Sequence, residues 1–238
     1  MKKAFYLLIL SLLSISLLHC TKDEDPNPLL IESVSDADGN IYNTIKIGNQ
    51  TWMLENLKTT KYNDGTPLTE YTFGDDWHNG NNPVAHYQWA NTDDLNNVHD
   101  EELPFDYYGA MYNHFAIESG KLAPAGWRIP TVQDFIELEN YLSNNGYSGM
   151  EALALKSESG WLAFSGNGTN DIGFNSLPNG YVSAVGTPTL AEGICTWATT
   201  DVNTSDGTRI MIQLFDQNSI LYSENAIQIG AGIRCIME

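Results

Sequence analysis

Hydrophobic and polar residues along this chain follow three kinds of pattern. An unbroken apolar run occupies positions 4–18. Apolar and polar residues alternate over 41–52 around a Gly-Asn pair that supplies a tight turn, and this predicts a β-hairpin. Apolar residues recur every three to four positions over 107–118 and 132–142, and a shorter apolar segment follows at 150–156. These three segments predict helices.

The second predicted helix has the clearest boundaries. Thr131 is placed to cap its N-terminus, because a threonine hydroxyl accepts a hydrogen bond from the first helical turn. Asn-Asn-Gly at 144–146 is a signal for its end. The apolar stripe between these limits consists of Val132, Phe135, Leu138 and Leu142.

The rest of the sequence predicts loops and short strands. Residues 58–106 are mostly Asp, Asn, Gly and Thr between isolated aromatic residues, which indicates a long ordered loop with short strand pieces. Strands are predicted at Arg209–Phe215 and Ile227–Cys235, between turn residues. The globular part, 33–238, is long enough for one domain with a core and short for two. We therefore expect a single α+β domain with helices in its first half and strands in its second.

The N-terminal apolar run is typical of a bacterial lipoprotein signal peptide. It follows two lysines and is about fifteen residues long, whereas a transmembrane helix needs roughly 20. The sequence Leu17-Leu18-His19-Cys20 resembles a lipobox, in which the cysteine is acylated and becomes the first mature residue. That motif usually has a small residue where His19 stands, so an ordinary secretory signal is the alternative. We predict a signal peptide at 1–19 and lipidation at Cys20.

The segment after the cysteine, 20–32, has the composition of a solvated tether. It is charged, poor in apolar residues and interrupted by Pro26 and Pro28. The acidic run at 23–25 resembles the export signal that Bacteroidetes lipoproteins use to reach the cell surface. An ordinary acidic linker is the alternative. We predict an outer-membrane lipoprotein on the cell surface, whose contact with the membrane is its lipid anchor.

Charge narrows the possible partners. Without the signal peptide the chain has 9 basic against 30 acidic residues, a net charge near −21. Nucleic acids and anionic lipid headgroups need a basic surface, so binding to nucleic acid is excluded and adsorption on anionic lipid is not expected. The charge is compatible with solubility outside the cell or with cation binding.

Two cysteines remain if Cys20 carries lipid. Cys195 and Cys235 are then an even pair in an oxidising compartment, and we predict a disulfide between them. It would close a loop of about forty residues and stabilise the fold by about 3–4 kcal/mol. Two buried free thiols are the alternative. The sequence contains no Cys-x-x-Cys and no Cys/His cluster, so a structural zinc site is not expected.

Candidate chemistry is sparse. The five histidines have no ligand spacing, and the sequence contains no nucleophile elbow and no phosphate-binding loop, so no catalytic residue is predicted. The one cofactor candidate is Ca²⁺, with oxygen ligands from Asn91, Asp93 and Asp94. The spacing is not that of an EF-hand, and a solvated acidic loop is the favoured alternative.

Several motifs rich in glycine and aromatic residues follow one another along the chain. They are Asp38-Gly-Asn-Ile-Tyr42, Ile47-Gly-Asn-Gln-Thr-Trp-Met-Leu-Glu-Asn-Leu57, Gly109-Ala-Met-Tyr-Asn113, Leu122-Ala-Pro-Ala-Gly-Trp-Arg-Ile-Pro-Thr131, Gly173-Phe-Asn-Ser-Leu-Pro-Asn-Gly-Tyr181 and Gly232-Ile-Arg-Cys235. In this order they resemble the Fibrobacter succinogenes major paralogous domain over residues 36–236. The resemblance implies a relative of the C-type-lectin-like and sulfatase-modifying-factor fold, an irregular mixed domain. Formylglycine-generating enzymes of that fold class use a nearby cysteine pair, whereas Cys195 and Cys235 are far apart in this sequence, so that activity is not carried over.

The motifs are best explained as architecture, because their aromatic residues stand beside glycine and proline, as expected where rings anchor irregular backbone. Function is therefore predicted from context. The leading hypothesis is a surface-tethered binding or interaction module for a glycan or a partner protein, on the analogy of lectin-like scaffolds. The alternative is an extracellular enzyme that acts on polymers through an unrecognised site.

Overall fold

The computed structural model describes residues 32–78, 83–216 and 218–238. The predicted signal peptide, the lipidation site Cys20 and the tether through residue 31 lie outside the described residues. Ile31–Glu238 form one compact unit. Among the described residues, no helix is both long enough and apolar enough to cross a membrane.

The regular structure of the described residues is mostly short strands, spread along the whole chain, with three short helices between residues 114 and 155, which is an α+β architecture. The strands are β1 (Ser33–Ser35), β2 (Ile41–Ile47), β3 (Gln50–Met53), β4 (Thr69–Glu70), β5 (His86–Trp89), β6 (Ala110–Tyr112), β7 (Trp127–Arg128), β8 (Tyr181–Val182), β9 (Pro188–Thr189), β10 (Cys195–Asn203), β11 (Thr208–Leu214), β12 (Leu221–Ala226) and β13 (Ile236–Met237). The helices are α1 (His114–Glu118), α2 (Val132–Leu142) and α3 (Glu151–Leu155), and a π-helical turn, Ser143–Tyr147, follows α2.

The strands form four small sheets. One has five strands in the order β1-β2-β3-β13-β7, two have three strands in the orders β10-β11-β12 and β4-β5-β6, and β8 pairs with β9. The β2–β3 hairpin confirms the prediction for 41–52, with Ile47 opposite Gln50 across the Gly-Asn turn. β11 confirms the strand predicted at 209–215, and β4 and β5 are the short strand pieces expected within 58–106.

Helix α2 begins as the sequence predicts. The Thr131 hydroxyl accepts a hydrogen bond from the Asp134 amide, and the Asp134 carboxylate accepts one from the Thr131 amide, which is a capping box. Arg128 adds two hydrogen bonds to the same carboxylate, at 2.6 and 2.7 Å. Burial alone would raise the pKa of Asp134, but these bonds outweigh it and the pKa is lowered. The third predicted helix, 150–156, is confirmed as α3.

The helix predicted over 107–118 is wrong in its first half. Residues 110–112 are β6, and α1 begins only at His114, with Asn113 as its N-cap. Gly109 has a φ of +83°, outside the helical region, and a side chain there would collide with Asn56. All three residues of β6 are buried, and a buried strand has no polar face. Its continuous apolar run therefore imitates helical spacing.

The strand predicted at 227–235 is also wrong. The pairing strand is β12, which ends at Ala226. Residues 230–235 instead run through the centre of the fold and exchange backbone hydrogen bonds with a different segment at almost every step. The partners are, in order, Val182, Tyr112, Thr196, Leu57 and Met53. The residues of such a segment are apolar because the side chains around them are apolar. The sequence of the segment therefore has no periodic pattern of its own.

The predicted disulfide between Cys195 and Cys235 is not formed, and both thiols are free and buried. Trp197 bridges Gly232 in a parallel pairing. Cys195 stands two positions before this bridge and Cys235 three positions after it, so the two cysteines are not opposite each other. A disulfide needs Cα atoms about 4.4–6.8 Å apart. The two cysteines also belong to different apolar clusters of the core.

The sequence motifs meet at a buried arginine. The Arg234 guanidinium lies between the rings of Phe174 and Trp197, with centroids 4.7 and 5.1 Å away. It donates to the Phe174 carbonyl at 2.6 Å and to Asn56 Oδ1 at 3.2 Å. Trp197 Nε1 donates to the same oxygen at 2.8 Å, and Asn56 Nδ2 donates to the Tyr108 carbonyl. Residues of three motifs, Asn56, Phe174 and Arg234, therefore meet in the core, as the architectural interpretation predicts.

Candidate functional site

A groove of about 460 Å³ lies between two surface loops, 91–96 and 188–192. A second cleft of similar volume lies on the other side of the first loop and is rimmed by the acidic residues 100–102. The groove is lined by Asn91, Asp93, Leu95, Asn96, Leu162, Pro188, Thr189, Leu190, Ala191 and Glu192. It therefore combines carboxyl and amide groups with aliphatic side chains.

The first loop is shaped by its own polar side chains. Asn91 Oδ1 accepts a hydrogen bond from the Asp93 amide at 3.1 Å. The Asp94 carboxylate accepts bonds from the amides of Val98 at 2.8 Å and His99 at 3.3 Å. Burial would raise the pKa of Asp94, but these backbone bonds outweigh it and the pKa is lowered. Asp94 is therefore the fixed anion of the loop.

The second loop has a strained backbone. Leu190 has a φ of +55° and Glu192 a φ of +66°, in the left-handed region that side chains other than glycine rarely adopt. The loop is fixed by a bond from the Glu192 amide to the Pro178 carbonyl and one from the Leu162 amide to the Glu192 carbonyl, both 2.8 Å. Strain of this kind persists only where the surroundings impose it, and it is concentrated at functional sites.

Glu192 lies at the floor of the groove. Its residue is only 3 % exposed, and its Oε2 accepts a hydrogen bond from Asn96 Nδ2 at 2.7 Å. Its Oε1 has no hydrogen-bond donor among the described residues. Burial, together with the nearby Asp94 carboxylate, raises the pKa of Glu192.

His99 and Tyr108 complete the polar cluster. His99 Nε2 and the Tyr108 hydroxyl are 3.1 Å apart, and the His99 ring packs against Gly160. Burial, with a smaller contribution from the Glu192 charge, raises the pKa of Tyr108, so its hydroxyl stays neutral. Four titratable side chains from three segments of the chain thus converge beside the groove.

An exposed apolar edge flanks this cluster. Leu95 is 77 % exposed and Leu190 is 46 % exposed, one on each loop. Phe164 and Phe215, 61 % and 40 % exposed, continue the edge with ring centroids 5.7 Å apart. Phe164 reaches the second loop, because its ring lies over Gly193. Apolar residues gathered in one exposed place are typical of an interaction surface.

A buried lysine supports this edge. Lys156 Nζ donates to the Ser165 carbonyl at 2.8 Å and lies 3.4 Å from the Asp216 carbonyl, so it joins the two segments that carry the phenylalanines. It lies 3.8 Å from the centroid of the Trp161 ring. Ser165 Oγ in turn donates to the Gly193 carbonyl at 2.5 Å. Burial lowers the pKa of Lys156 to about 8.

Two of the three calcium candidates, Asn91 and Asp93, line the groove, whereas Asp94 lines the neighbouring cleft. The Asn91 oxygen and the Asp94 carboxylate accept bonds from their own loop, as described above. Among the described residues, no group of three or more His, Cys, Asp or Glu side chains could hold a metal ion. We therefore propose no calcium site there.

Sequence reasoning missed Glu192, His99 and the two leucines. Glu192 is about a hundred positions from Asp94, and no local pattern indicates that the two carboxyl groups meet. A left-handed backbone at a leucine and a glutamate leaves no signal in the sequence. The acidic composition of the first loop was the only available sign of the site.

Fold and groove together define a loop-rich α+β domain with a cleft between two surface loops. The chain belongs to the family of the Fibrobacter succinogenes major domain, whose sequence profile matches residues 45–237. No curated protein shows significant similarity to the chain. No solved structure does so either.

Proposed function

We propose that this protein is an outer-membrane lipoprotein, anchored through Cys20 and displayed on the cell surface, whose groove binds a partner. The observation that carries the proposal is the groove itself, in which the exposed Leu95 and Leu190 line the same cleft as the buried Glu192. Exposed apolar residues gathered in one place are typical of an interaction surface.

A partner protein explains the lining better than a glycan does. Sugar rings stack on flat, exposed aromatic faces, whereas the exposed groups nearest the acid are the aliphatic Leu95 and Leu190. The Phe164 and Phe215 rings are tilted by 41° to each other and do not form one platform. We therefore propose a polypeptide as the leading ligand, with a glycan as the second outcome of the test.

A relationship to the C-type-lectin-like and sulfatase-modifying-factor fold remains part of the proposal. It is supported by the small mixed sheets, the short helices and the location of the groove on irregular loops. A solved structure of a family member with a bound ligand between the corresponding loops would test it.

The groove is tested with the purified full-length protein on a displayed peptide library and a glycan array. Leu95→Ser and Phe164→Ser should each remove the selected binding. Ile41→Ser is the matched control, because Ile41 is 67 % exposed and lies on β2, outside both loops. Binding that survives both groove variants, or is lost equally in the control, contradicts the proposal.

The anchor has its own tests, supported by the apolar run and the acidic segment of the sequence. A palmitate analogue should label the wild-type protein but not Cys20→Ala. Replacing Asp23, Glu24 and Asp25 with alanine should reduce digestion by protease added to intact cells. Equal labelling or unchanged digestion would contradict the anchor or the surface location, respectively.

The alternative function, an extracellular enzyme acting on polymers, has one observation in its favour. Glu192 and Asp94 are neighbouring carboxyl groups whose pKa values are moved apart, as in an acid and base pair. Polymer turnover that is lost in Glu192→Gln would support the enzyme hypothesis over the binding module.

A further inference from the structure

We propose that the pocket between the β2–β3 turn and helix α2 binds a sugar ring of a neutral glycan. The inference goes beyond the proposed function, because this pocket and the groove share no lining residue among those described. The pocket has a volume of about 500 Å³, which lies in the range of small-molecule sites. Its walls combine one aromatic ring with several planar polar groups.

Helix α2 forms one wall of the pocket. Glu137, Asn140 and Tyr141 all line it, and they stand at i, i+3 and i+4 along the helix. Residues at this spacing share one face of a helix. All three are exposed, whereas the buried stripe of the same helix lies on another face. The ring and the polar groups of this wall are therefore open to a ligand.

The hairpin turn holds the Tyr141 ring in place. Gly48, the first residue of the turn, has a φ of +59°, and a Cβ there would stand 2.8 Å from Tyr141 Cδ2. The ring edge therefore packs directly on the glycine, while Tyr141 as a whole stays 37 % exposed. A fixed, partly exposed ring offers a flat apolar surface with little freedom to lose, on which the C–H face of a sugar can stack.

Free amide groups stand beside the ring. The side chains of Asn49, on the turn, and Asn140, on the helix, have no hydrogen-bond partner among the described residues. An amide both donates and accepts hydrogen bonds, as the hydroxyl groups of a sugar do. The two amides belong to opposite walls of the pocket, so they can bind hydroxyl groups on two sides of one sugar ring.

Gln50 forms a fixed polar part of the pocket. Its Oε1 accepts from Trp52 Nε1 at 3.1 Å, and its Nε2 donates to the Asp134 carbonyl at 2.9 Å. The same Nε2 lies 3.5 Å from Glu137 Oε2. The glutamine therefore sets the position of the carboxylate, whose remaining acceptor capacity can be used by sugar hydroxyl groups.

The charge of the pocket selects a neutral ligand. Of the described residues that line it, Glu137 is the only charged one, and none is a lysine or arginine. A nucleotide could also stack on the tyrosine, but its phosphate groups would meet a carboxylate and no cation. Uronic acids are disfavoured for the same reason. A neutral sugar matches the ring, the amides and the carboxylate together.

The test uses the purified full-length protein in native gels that contain galactomannan, xyloglucan, mannan, starch, dextran or the anionic polygalacturonate. At least one neutral polysaccharide should retard the wild type, and polygalacturonate should not. Tyr141→Ala should weaken the retarding interaction at least about tenfold, because it removes the stacking surface. Tyr107→Ala is the matched control, since Tyr107 is also 37 % exposed but does not line the pocket, and it should retain binding.

Two glycine variants test the position of the ring. Gly48 and Gly39 both have a left-handed backbone, so alanine strains the chain at either position. The new Cβ meets the Tyr141 ring at Gly48, whereas nothing lies within 4 Å of it at Gly39. Gly48→Ala should therefore weaken sugar binding more than Gly39→Ala. Thermal unfolding of both variants shows whether a loss of binding is a loss of folding.

Lack of retardation by every neutral polysaccharide would overturn the inference. Retardation by polygalacturonate as strong as by a neutral polymer would also do so, as would equal loss of binding in Tyr141→Ala and Tyr107→Ala. Leu95→Ser should bind the polysaccharide as the wild type does, because Leu95 lines the groove and not this pocket. The peptides that the library selects test the groove separately, so either proposal can fail while the other stands.

Discussion

Substitution of the buried Lys156 by methionine should change how stability depends on pH. Lys156 has no carboxylate partner within the ion pairs of the described residues, and its charge is held by the Ser165 carbonyl and the Trp161 ring. Burial lowers its pKa from 10.5 to about 8. Methionine has a similar length and cannot be protonated, so it removes this titration while still filling the space.

The magnitude follows from the two pKa values. A tenfold change in proton affinity corresponds to about 1.4 kcal/mol, so the protonated lysine costs the native state about 3 kcal/mol relative to the unfolded chain. Below pH 8 both states are protonated and the full cost is present. Between about pH 8 and 10.5 the unfolded chain holds the proton and the native protein has lost it, so stability rises with pH in this window. Between pH 7 and 10.5, the free energy of unfolding of the wild type should therefore rise by about 3 kcal/mol relative to that of Lys156→Met.

Urea unfolding followed by tryptophan fluorescence at several pH values measures this difference. Groups that titrate in both proteins, such as the buried tyrosines, cancel when the free energies of unfolding are subtracted. Lys46→Met is the matched control, because Lys46 is exposed on β2 and its variant should follow the wild-type curve at a constant offset. Parallel curves for wild type and Lys156→Met would refute the assignment of a buried, desolvated charge.

Three further predictions concern the scaffold. Asp134→Asn should lower the free energy of unfolding by about 1–3 kcal/mol at pH 7. The lowered pKa of Asp134 makes this contribution present above pH 3.8 and lost as the pH falls further, so acid titration of the two proteins should converge. Cys195 and Cys235 should react with a thiol reagent only after unfolding, since both are buried and burial raises both pKa values; a disulfide in the native, non-reduced protein would contradict the free thiols. Gly180→Ala should both destabilise the protein and reduce binding to the groove. The new Cβ would stand 2.3 Å from the Thr189 carbonyl oxygen and would displace the second loop. A soluble variant with unchanged binding would show that this contact is not needed.

The elements that the sequence predicted correctly carry their own local signals. The hairpin at 41–52 has alternating residues and its turn, and α2 has its cap, its stripe and its stop. The segments 107–113 and 227–235 failed for one shared reason. Their central residues, 110–112 and 230–235, are buried, so their pattern reflects distant neighbours such as Leu57 and not a period of their own.

The candidate site was predictable only in part. The acidic loop that contains Asp94 is visible in the composition, whereas its partner Glu192 arrives from far along the chain on a left-handed backbone. The disulfide prediction failed because two strand-like cysteine segments were assumed to be level with each other. The parallel bridge between Trp197 and Gly232 instead offsets the two thiols. Contacts of this range depend on the assembled fold.

The most direct test of the account is position-specific photocrosslinking on intact cells. A benzophenone amino acid is placed at Leu95 in the groove or at Ile41 on β2, two exposed positions of the same chemical type. The account predicts a covalent partner adduct from position 95 that is absent from position 41 and is weakened by the additional substitution Glu192→Gln. Adducts of equal yield from both positions, or adducts from position 41 alone, would contradict the groove as the binding site.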